Sequence, residues 1–285
     1  MSESNGQKWT LEIKSKSGWF DLNLKEIWDY KDLVYMFVNR DFVIQYKQTV
    51  LGPLWYVFQP LITTIVYSVV FGNVAKIETD GQPKMLFYMT GLLFWNFFSS
   101  NLMRNSDTFT ANSGIFGKVY FPRLTVPIAT TVSGLVSMAI QLALLIGMYV
   151  YFLFQGMEAK INATLFLFPF LLVIVCALSM GLGIIVSSLT TKYRDLKFLI
   201  GFAVQLAMWA TPVIYSRAGI TNASLLAVLD INPMTPIVEA FRYSILGSGS
   251  FSWAGIGYSC VFTLVAFVIG IIIFSKVEKD FMDTV

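Results

Sequence analysis

Histidine is absent from this sequence of 285 residues, and cysteine occurs only twice. Histidine is the side chain that most often serves as a general base near neutral pH and as a ligand for transition metals. Cys176 and Cys260 both lie in apolar runs, where a thiol behaves as a small buried hydrophobe. We therefore expect no disulfide, no metal site, no catalytic residue and no enzyme activity in this chain.

Charged residues are also scarce: they make up 13% of the chain against 56% hydrophobic residues, and the mean hydropathy is +0.66. A soluble domain carries roughly 25% charged residues and divides its apolar residues into periodic stripes. Here they form six nearly uncharged runs, at residues 54–74, 85–103, 126–154, 163–189, 198–215 and 253–274. Each is long enough for a hydrocarbon core about 30 Å thick, so the sequence predicts an all-α integral membrane protein with six transmembrane helices.

No cleavable signal pattern opens the chain, so we expect the first run itself to direct membrane insertion. About three of every four of the 20 Lys and Arg residues flank the runs on the side that holds both termini. The positive-inside rule then places both termini in the cytoplasm. The predicted organisation is a cytoplasmic tail (1–23), an amphipathic interface helix (24–47), a six-span transmembrane domain (54–275) and a cytoplasmic C-terminus (276–285).

Two segments outside the runs have mixed patterns. Residues 24–47 interleave apolar side chains with charges, which is typical of a helix in the membrane interface; a soluble helix packed on another domain is the alternative. Residues 216–252 contain two short apolar patterns, punctuated by Pro233 and Pro236. Helices of that length are too short to span, so we expect short re-entrant external helices before the last span.

Two kinds of energy-coupling machinery are missing from the sequence. A phosphate loop ending at the Gly117-Lys118 pair would need Gly at position 112 and Ser or Thr at position 119, where Asn112 and Val119 stand. We therefore expect any ATP to be bound by another polypeptide. The cores of the six runs contain no Asp, Glu, Lys, Arg or His, which removes the usual machinery of ion-coupled transport.

The runs contain many aromatic and uncharged polar residues instead. Aromatic rings stack on the C–H faces of sugars, and amides and hydroxyls bond to sugar hydroxyls without trapping a moving polymer. The candidates for lining a channel are Tyr56, Gln59, Tyr67, Trp95, Phe98, Gln205 and Trp209. The alternative is that these aromatics anchor the chain at the membrane interfaces and pack between helices.

Two aromatic and basic segments lie between runs on the predicted cytoplasmic side, where they would be accessible to a partner. Bulky aromatics beside Arg and Lys are good anchors in a partner's groove. The alternative is that the charges only orient the chain and the aromatics only anchor it. The predicted docking residues are Phe116, Gly117, Lys118, Tyr120, Phe121, Pro122 and Arg123 in the first segment and Tyr193, Arg194 and Asp195 in the second.

At these and other positions the sequence resembles the membrane (permease) subunits of the type-2 ABC exporter family, in the branch that exports O-antigen, capsular polysaccharide and teichoic acid. The matching pieces are DFVIQYKQTVLGPLWYVFQP (41–60), GLLFWNFF (91–98), GIFGKVYFPR (114–123), YRDLK (193–197), TPVIY (211–215) and NPMTPIVEAFRYSILG (232–247). They occur in family order across residues 24–285.

The resemblance implies a homodimer of six-span subunits in the bacterial inner membrane, with two ATP-binding cassette subunits that bind ATP and magnesium on the cytoplasmic face. It implies that residues 106–123 form a coupling helix seated in the ATPase. The cargo would be a lipid-linked polysaccharide, an O-antigen or related glycan; we expect contacts with membrane lipids and none with nucleic acid. The alternatives are a type-2 exporter of drugs or small lipids, and a membrane enzyme of glycan-lipid assembly.

Overall fold

The computed structural model describes residues 24–47, 49–193 and 195–284, and in that part of the chain the secondary structure is entirely helical. The prediction of an all-α integral membrane protein is confirmed. The predicted tail, residues 1–23, lies outside the described residues. The helices are α1 (Leu24–Asp29), α2 (Lys31–Tyr46), α3 (Trp55–Tyr67), α4 (Lys84–Ser106), α5 (Thr108–Phe116), α6 (Thr125–Phe154), α7 (Phe168–Thr190), α8 (Leu196–Trp209), α9 (Ala223–Ile231), α10 (Met234–Leu246) and α11 (Trp253–Thr284).

Four stretches of the described chain are long and apolar enough to cross a membrane: Gly52–Val74, Thr125–Phe154, Ala163–Thr190 and Trp253–Glu278. They correspond to the first, third, fourth and sixth predicted runs. The first is built around α3 and ends in a π-helical turn, Ser68–Val74. Such turns are rare and are frequently found at functional sites.

Helix α4 corresponds to the second run and is less apolar, although its 23 residues would extend about 35 Å. It packs against α3, α6, α7 and α10, so that nearly all of its side chains from Leu86 to Phe98 are buried. A helix surrounded by protein needs no lipid-facing apolar stripe, which explains why α4 can contain Asn96, Ser99 and Asn101.

Helix α8 corresponds to the fifth run but has only 14 residues, about 21 Å, and ends at Trp209 instead of continuing to Tyr215. The reason is the Thr211-Pro212 sequence. Proline supplies no N–H to a helix, and the carbonyls of Pro212 and Val213 bond to the guanidinium of Arg242. Because α4 and α8 depart from the pattern of an isolated spanning helix, the count of six spans stays a prediction.

The bundle has two ends, which we call the α5 end and the α10 end. At the α5 end, α2 packs along α6, and α5 lies between α4 and α7. The predicted interface helix is therefore two helices, α1 and α2, and one side of α2 is fixed to the bundle by Phe37, which is buried against Phe121. Trp28, Tyr35 and Ile44 remain exposed.

At the α10 end, α9 and α10 meet at an angle of 94°. The side chain of Asn232 forms this corner: its Oδ1 accepts a hydrogen bond from the N–H of Met234, and its Nδ2 donates to the carbonyl of Ala210. Gly247 closes α10 in the left-handed conformation, with φ at 63°. The two short helices predicted before the last span are thus present, with the geometry of a re-entrant loop or a broken span.

Candidate functional site

A polar cleft opens between α3, α4 and α6, with a volume of about 400 Å³. We call it the amide cleft. It lies nearer the α5 end of the bundle, because its α4 residues are in the last three turns of that helix, and its α6 residues lie near the middle of α6. It is lined by Trp55, Tyr56, Gln59, Pro60, Thr63, Asn96, Ser99, Ser100, Met103, Ser137 and Gln141.

Side-chain amides from two helices connect across the wall of the cleft. Asn96 of α4 donates from Nδ2 to Oε1 of Gln141 on α6 at 3.4 Å, and Gln141 donates from Nε2 to the hydroxyl of Ser137 at 3.3 Å. Each of these groups retains further donor or acceptor capacity, because an amide side chain has two N–H donors and two acceptor lone pairs. The wall can therefore form more hydrogen bonds than it makes internally.

Two cations and one anion form a paired group near the α5 side of the cleft, with a net charge of +1. Asp41 of α2 accepts from Arg40 through Oδ1 and from Arg104 of α4 through Oδ2, both at 2.9 Å. This bridge ties α2 to the end of α4. Among the described residues that line the cleft itself, none is charged.

The predicted channel-lining residues divide into three groups. Tyr56 and Gln59 line the amide cleft. Trp95 and Phe98 lie inside the core, because α4 is enclosed by other helices, and their ring centroids are 5.6 Å apart. The rest are on α3 and α8, towards the α10 end. Tyr67 of α3 is half-buried, and Gln205 and Trp209 of α8 are exposed. The centroid of the Trp209 ring lies 6.0 Å from that of the Phe71 ring.

The segment predicted to dock on a partner also divides. Phe116, Phe121 and Arg123 are only 3%, 5% and 4% exposed, and Pro122 is half-buried. Gly117 and Lys118 are exposed, and Tyr120 is 46% exposed. Sequence reasoning placed all of them in one contact surface, but a helix as short as α5 turns one face inwards, and only the remaining residues are accessible.

The inward face of this segment belongs to a cluster of aromatic rings at the α5 end. The Phe121 ring lies 5.7 Å from that of Phe116 and 5.8 Å from that of Phe37. The guanidinium of Arg123 lies 5.2 Å from the Phe116 ring, and its Nη1 donates to the carbonyl of Glu278 on α11. Burial lowers the pKa of Arg123, and the carboxylate of Glu278 opposes that shift. These residues fix the shape of the docking segment.

The second docking segment lies at the same end of the bundle. Lys197, at the start of α8, forms a 2.9 Å ion pair with Asp107 at the junction of α4 and α5. The hydroxyl of Thr190 contacts the carbonyl of Ser106, which brings the end of α7 to the same junction. Tyr193 and Asp195 are exposed, and Arg194 lies outside the described residues. We call Lys118, Tyr120, Tyr193 and Asp195 the docking surface.

Sequence reasoning missed a buried ion pair at the α10 end. Arg242 and Glu239 of α10 are 0% and 1% exposed, and Nη1 of Arg242 lies 2.9 Å from Oε1 of Glu239. Glu239 also accepts from the N–H of Ser250 at 2.8 Å, and Arg242 lies 3.8 Å from the centroid of the Phe87 ring. The detectable signal was Glu and Arg three residues apart in an otherwise apolar helix.

This group, which we call the Arg242 cluster (Phe87, Glu239, Arg242 and Ser250 with the carbonyls of Pro212 and Val213), joins four parts of the chain. It connects α4, the turn after α8, α10 and the loop before α11. A buried charge persists only when its partners satisfy it. The cluster therefore holds the α10 end in one arrangement.

Comparison with known proteins identifies relatives over most of the chain. The family described as ABC-2 type transporter matches residues 32–246. The O-antigen export system permease protein RfbA of Klebsiella pneumoniae is 26% identical over 254 residues, covering 88% of this chain and 94% of the relative. A protein of the same name from Myxococcus xanthus is 26% identical over 220 residues, covering 77% of this chain and 82% of the relative.

Proposed function

The chain belongs to the ABC-2 type transporter family, and from that premise we propose that it forms half of a dimeric channel that exports a lipid-linked polysaccharide, an O-antigen or related glycan. It is an integral membrane protein and a transporter component rather than an enzyme. The polysaccharide cargo is supported by the names of the relatives in two bacteria. The single structural observation that carries the proposal is the uncharged, hydrogen-bonding lining of the amide cleft.

The orientation follows from the basic residues. The α5 end contains Arg40, Arg104, Lys118 and Lys197, and by the positive-inside rule these residues support a cytoplasmic position for it. The bacterial sources of the relatives support the inner membrane as the location of the protein. The docking surface then faces the compartment that holds ATP. We infer that two ATP-binding cassette subunits dock there and bind ATP and magnesium.

A second copy of the chain is supported by the amides exposed on two largely apolar helices. Gln59 on α3 and Gln205 on α8 are exposed, and both helices are otherwise largely apolar. An amide that faces hydrocarbon without a hydrogen-bond partner costs several kcal/mol. These faces are better suited to a water-filled channel between two copies than to lipid.

Deletion of the gene tests this function. We expect lipid-linked glycan to accumulate in the cytoplasm and surface glycan to disappear, with both restored by the intact chain. Co-purification of the chain with an ATP-binding subunit would support the assembly. Unchanged surface glycan in a strain that has no redundant exporter would contradict the proposal, and loss of drug resistance in that strain would indicate a different cargo.

A further inference from the structure

A pair of arginines extends the polar face of the amide cleft towards the α5 end. On α4, Asn96, Ser100 and Arg104 are spaced four residues apart, so their side chains lie on one face of the helix. Asn96 and Ser100 line the cleft, and Arg104 lies one turn beyond them. Tyr56 of α3 also lines the cleft, and the charges of Arg104 and Asp41 both act on its hydroxyl. A cationic group therefore lies at the α5 side of a cleft whose described lining residues are uncharged.

Asp41 of α2 brings the two guanidiniums together at this position. Its Oδ2 accepts from Arg104 and its Oδ1 from Arg40, each at 2.9 Å, so the two cations converge on one carboxylate. Two positive charges against one negative charge leave a net charge of +1. The side chains of Arg40 and Arg104 are 35% and 36% exposed, whereas that of Asp41 is 14% exposed. A ligand that approaches from the surface therefore has more access to the cations than to the carboxylate.

Each guanidinium keeps hydrogen-bonding capacity after its contact with Asp41. The contact engages Nη2 of Arg104, and Nε and Nη2 of Arg40. A guanidinium has five N–H donors in a planar fork, so both arginines retain further donors. Such a fork presents two parallel N–H groups to two oxygens of one oxyanion, and its geometry matches phosphate well. The chemistry of this pair therefore favours a phosphate group as its ligand.

The position of the pair favours a lipid as the source of that phosphate. Arg104 is in the last turn of α4, and α2 packs along the same end of the bundle with Trp28, Tyr35 and Ile44 exposed. In the proposed orientation this end lies at the cytoplasmic face of the bilayer, where lipid headgroups are concentrated. Basic pockets between spanning helices at that face bind lipid headgroups. A membrane lipid therefore presents its phosphate at the level of the pair.

On the basis of the function proposed above, we propose that Arg40 and Arg104 bind the phosphate of a membrane lipid at the α5 side of the amide cleft. Two sources of phosphate share this chemistry: the lipid that carries the exported glycan, and the phospholipids of the cytoplasmic leaflet. The carrier fits the site more completely, because the first sugar beyond its phosphate would lie beside the amides and hydroxyls of the cleft. The pair then holds the junction between lipid and glycan at the point where the glycan enters the cleft.

Binding is measured with the intact complex of the chain and its ATPase in a polyoxyethylene detergent, which contains neither phosphate nor sugar. One probe is an alkyl phosphoglucose, in which a phosphodiester joins glucose to an alkyl chain, and the other is the alkyl glucoside, which lacks the phosphate. We expect the phosphoglucose to bind more tightly. Arg104→Gln should weaken its binding about tenfold and leave the affinity for the glucoside unchanged. Equal affinities of the two probes, or no effect of Arg104→Gln, would overturn the proposal.

Two further variants separate charge at this site from other causes. Lys197→Gln is the matched control, because it removes one positive charge from the same end of the bundle, where Lys197 pairs with Asp107. It should leave phosphoglucose binding unchanged, and a tenfold loss there would overturn the proposal by indicating general electrostatic attraction. Asp41→Asn breaks the ionic contact between α2 and α4 but keeps both guanidiniums, so phosphoglucose should bind at least as tightly as to the parent. A loss equal to that of Arg104→Gln would overturn the proposal, because the bridge and not the cations would then support binding.

Phosphatidylglycerol distinguishes the two sources of the phosphate, because it has a phosphodiester and a glycerol headgroup but no sugar ring. Tighter binding of the phosphoglucose than of phosphatidylglycerol would identify the glycan carrier as the ligand, which is the result we expect. Equal or tighter binding of phosphatidylglycerol, lost in Arg104→Gln, would identify the phospholipids instead. Both results support a lipid phosphate site.

Complementation of the deletion strain separates this proposal from the function on which it rests. If the deletion abolishes surface glycan but Arg104→Gln restores it and binds the phosphoglucose normally, the phosphate site is wrong and the exporter assignment stands. If the deletion leaves surface glycan unchanged, the exporter assignment itself fails. Unfolding temperatures of the variants, matched to the parent, exclude loss of structure as the cause.

Discussion

The Arg242 cluster and the amide cleft are built against the same helix, α4, and differ in burial and in the charge of their residues. The first half of α4 contributes Phe87 and Gly91 to a sealed site in which full charges meet internal partners. The second half contributes Asn96 and Ser99 to an open site whose described lining residues are uncharged. The chain thus has a buried ion pair in the packed α10 end and uncharged hydrogen-bonding groups in a cleft that a ligand could enter.

The two sites also differ in how much a substitution there should change the free energy of folding. A buried ion pair adds little stability compared with a well-packed apolar replacement, but removing one partner leaves an uncompensated charge and costs about 3–5 kcal/mol. The Arg242 cluster therefore fixes geometry. Groups in an open cleft are already solvated, so changing them alters the free energy of folding by only a few tenths of a kcal/mol. Substitutions in the Arg242 cluster should lower stability strongly. Substitutions in the amide cleft should leave stability nearly unchanged and act on transport instead.

The largest effect is expected from Arg242→Met, which leaves Glu239 buried without its cation. The free energy of unfolding should fall by about 3–5 kcal/mol, measured by thermal unfolding of the detergent-solubilised protein. Arg217→Met is the matched control, because Arg217 pairs with Asp230 on the surface, where a pair contributes about 0–1 kcal/mol. Equal losses of unfolding free energy in the two variants would show that burial of the ion pair does not determine its contribution to stability.

A smaller effect is expected from Gly91→Ala. An added Cβ would lie 3.0 Å from Nη2 of Arg242 and 3.0 Å from both the Cα and the carbonyl oxygen of Val213. Because the backbone of Val213 is held by the Arg242 cluster, the overlap should cost about 1–3 kcal/mol. Gly147→Ala on α6 meets nothing within 4 Å and serves as the control. If the control were destabilised as much as Gly91→Ala, the close approach would not be the cause.

The smallest effect on stability is expected at the docking surface, because its side chains are exposed and contribute little to the free energy of unfolding. Replacing Lys118 and Tyr120 together with Ala should change the free energy of unfolding by about 0.5 kcal/mol or less. The same variant should lower substrate-stimulated ATP hydrolysis by the reconstituted complex, because contact with the ATPase is weakened. Tyr151→Ala, an exposed Tyr at the α10 end, is the control. Unchanged ATP hydrolysis would move the contact elsewhere.

Sequence reasoning found those features that depend on one helix at a time. The apolar runs predicted the four stretches that are long and apolar enough to cross a membrane. The run at 85–103 predicted α4, although its polar residues lower its hydropathy. The same reasoning wrongly extended the fifth run past Thr211. The chain leaves the helix there because the carbonyl of Pro212 bonds to Arg242, a residue 30 positions further along the sequence, and a pattern within one run cannot show such a contact.

The sites themselves depend on how helices are rotated against one another, which a periodic pattern does not specify. Tyr56 and Gln59 were recognised as polar residues in a spanning run, but their meeting with Asn96 and Gln141 requires the packing of α3, α4 and α6. For the same reason, nothing in the sequence separated the inward-facing Phe121 from the outward-facing Tyr120.

The most direct test of the account is transport by inside-out membrane vesicles that contain the chain and its ATPase, supplied with radiolabelled lipid-linked neutral glycan. We expect the label to become inaccessible to an external glycosidase only when ATP and magnesium are present. Vesicles without the chain should leave the label exposed. Protection that is independent of ATP, or equal in vesicles lacking the chain, would contradict the claim that this protein forms the channel of an ATP-driven glycan exporter.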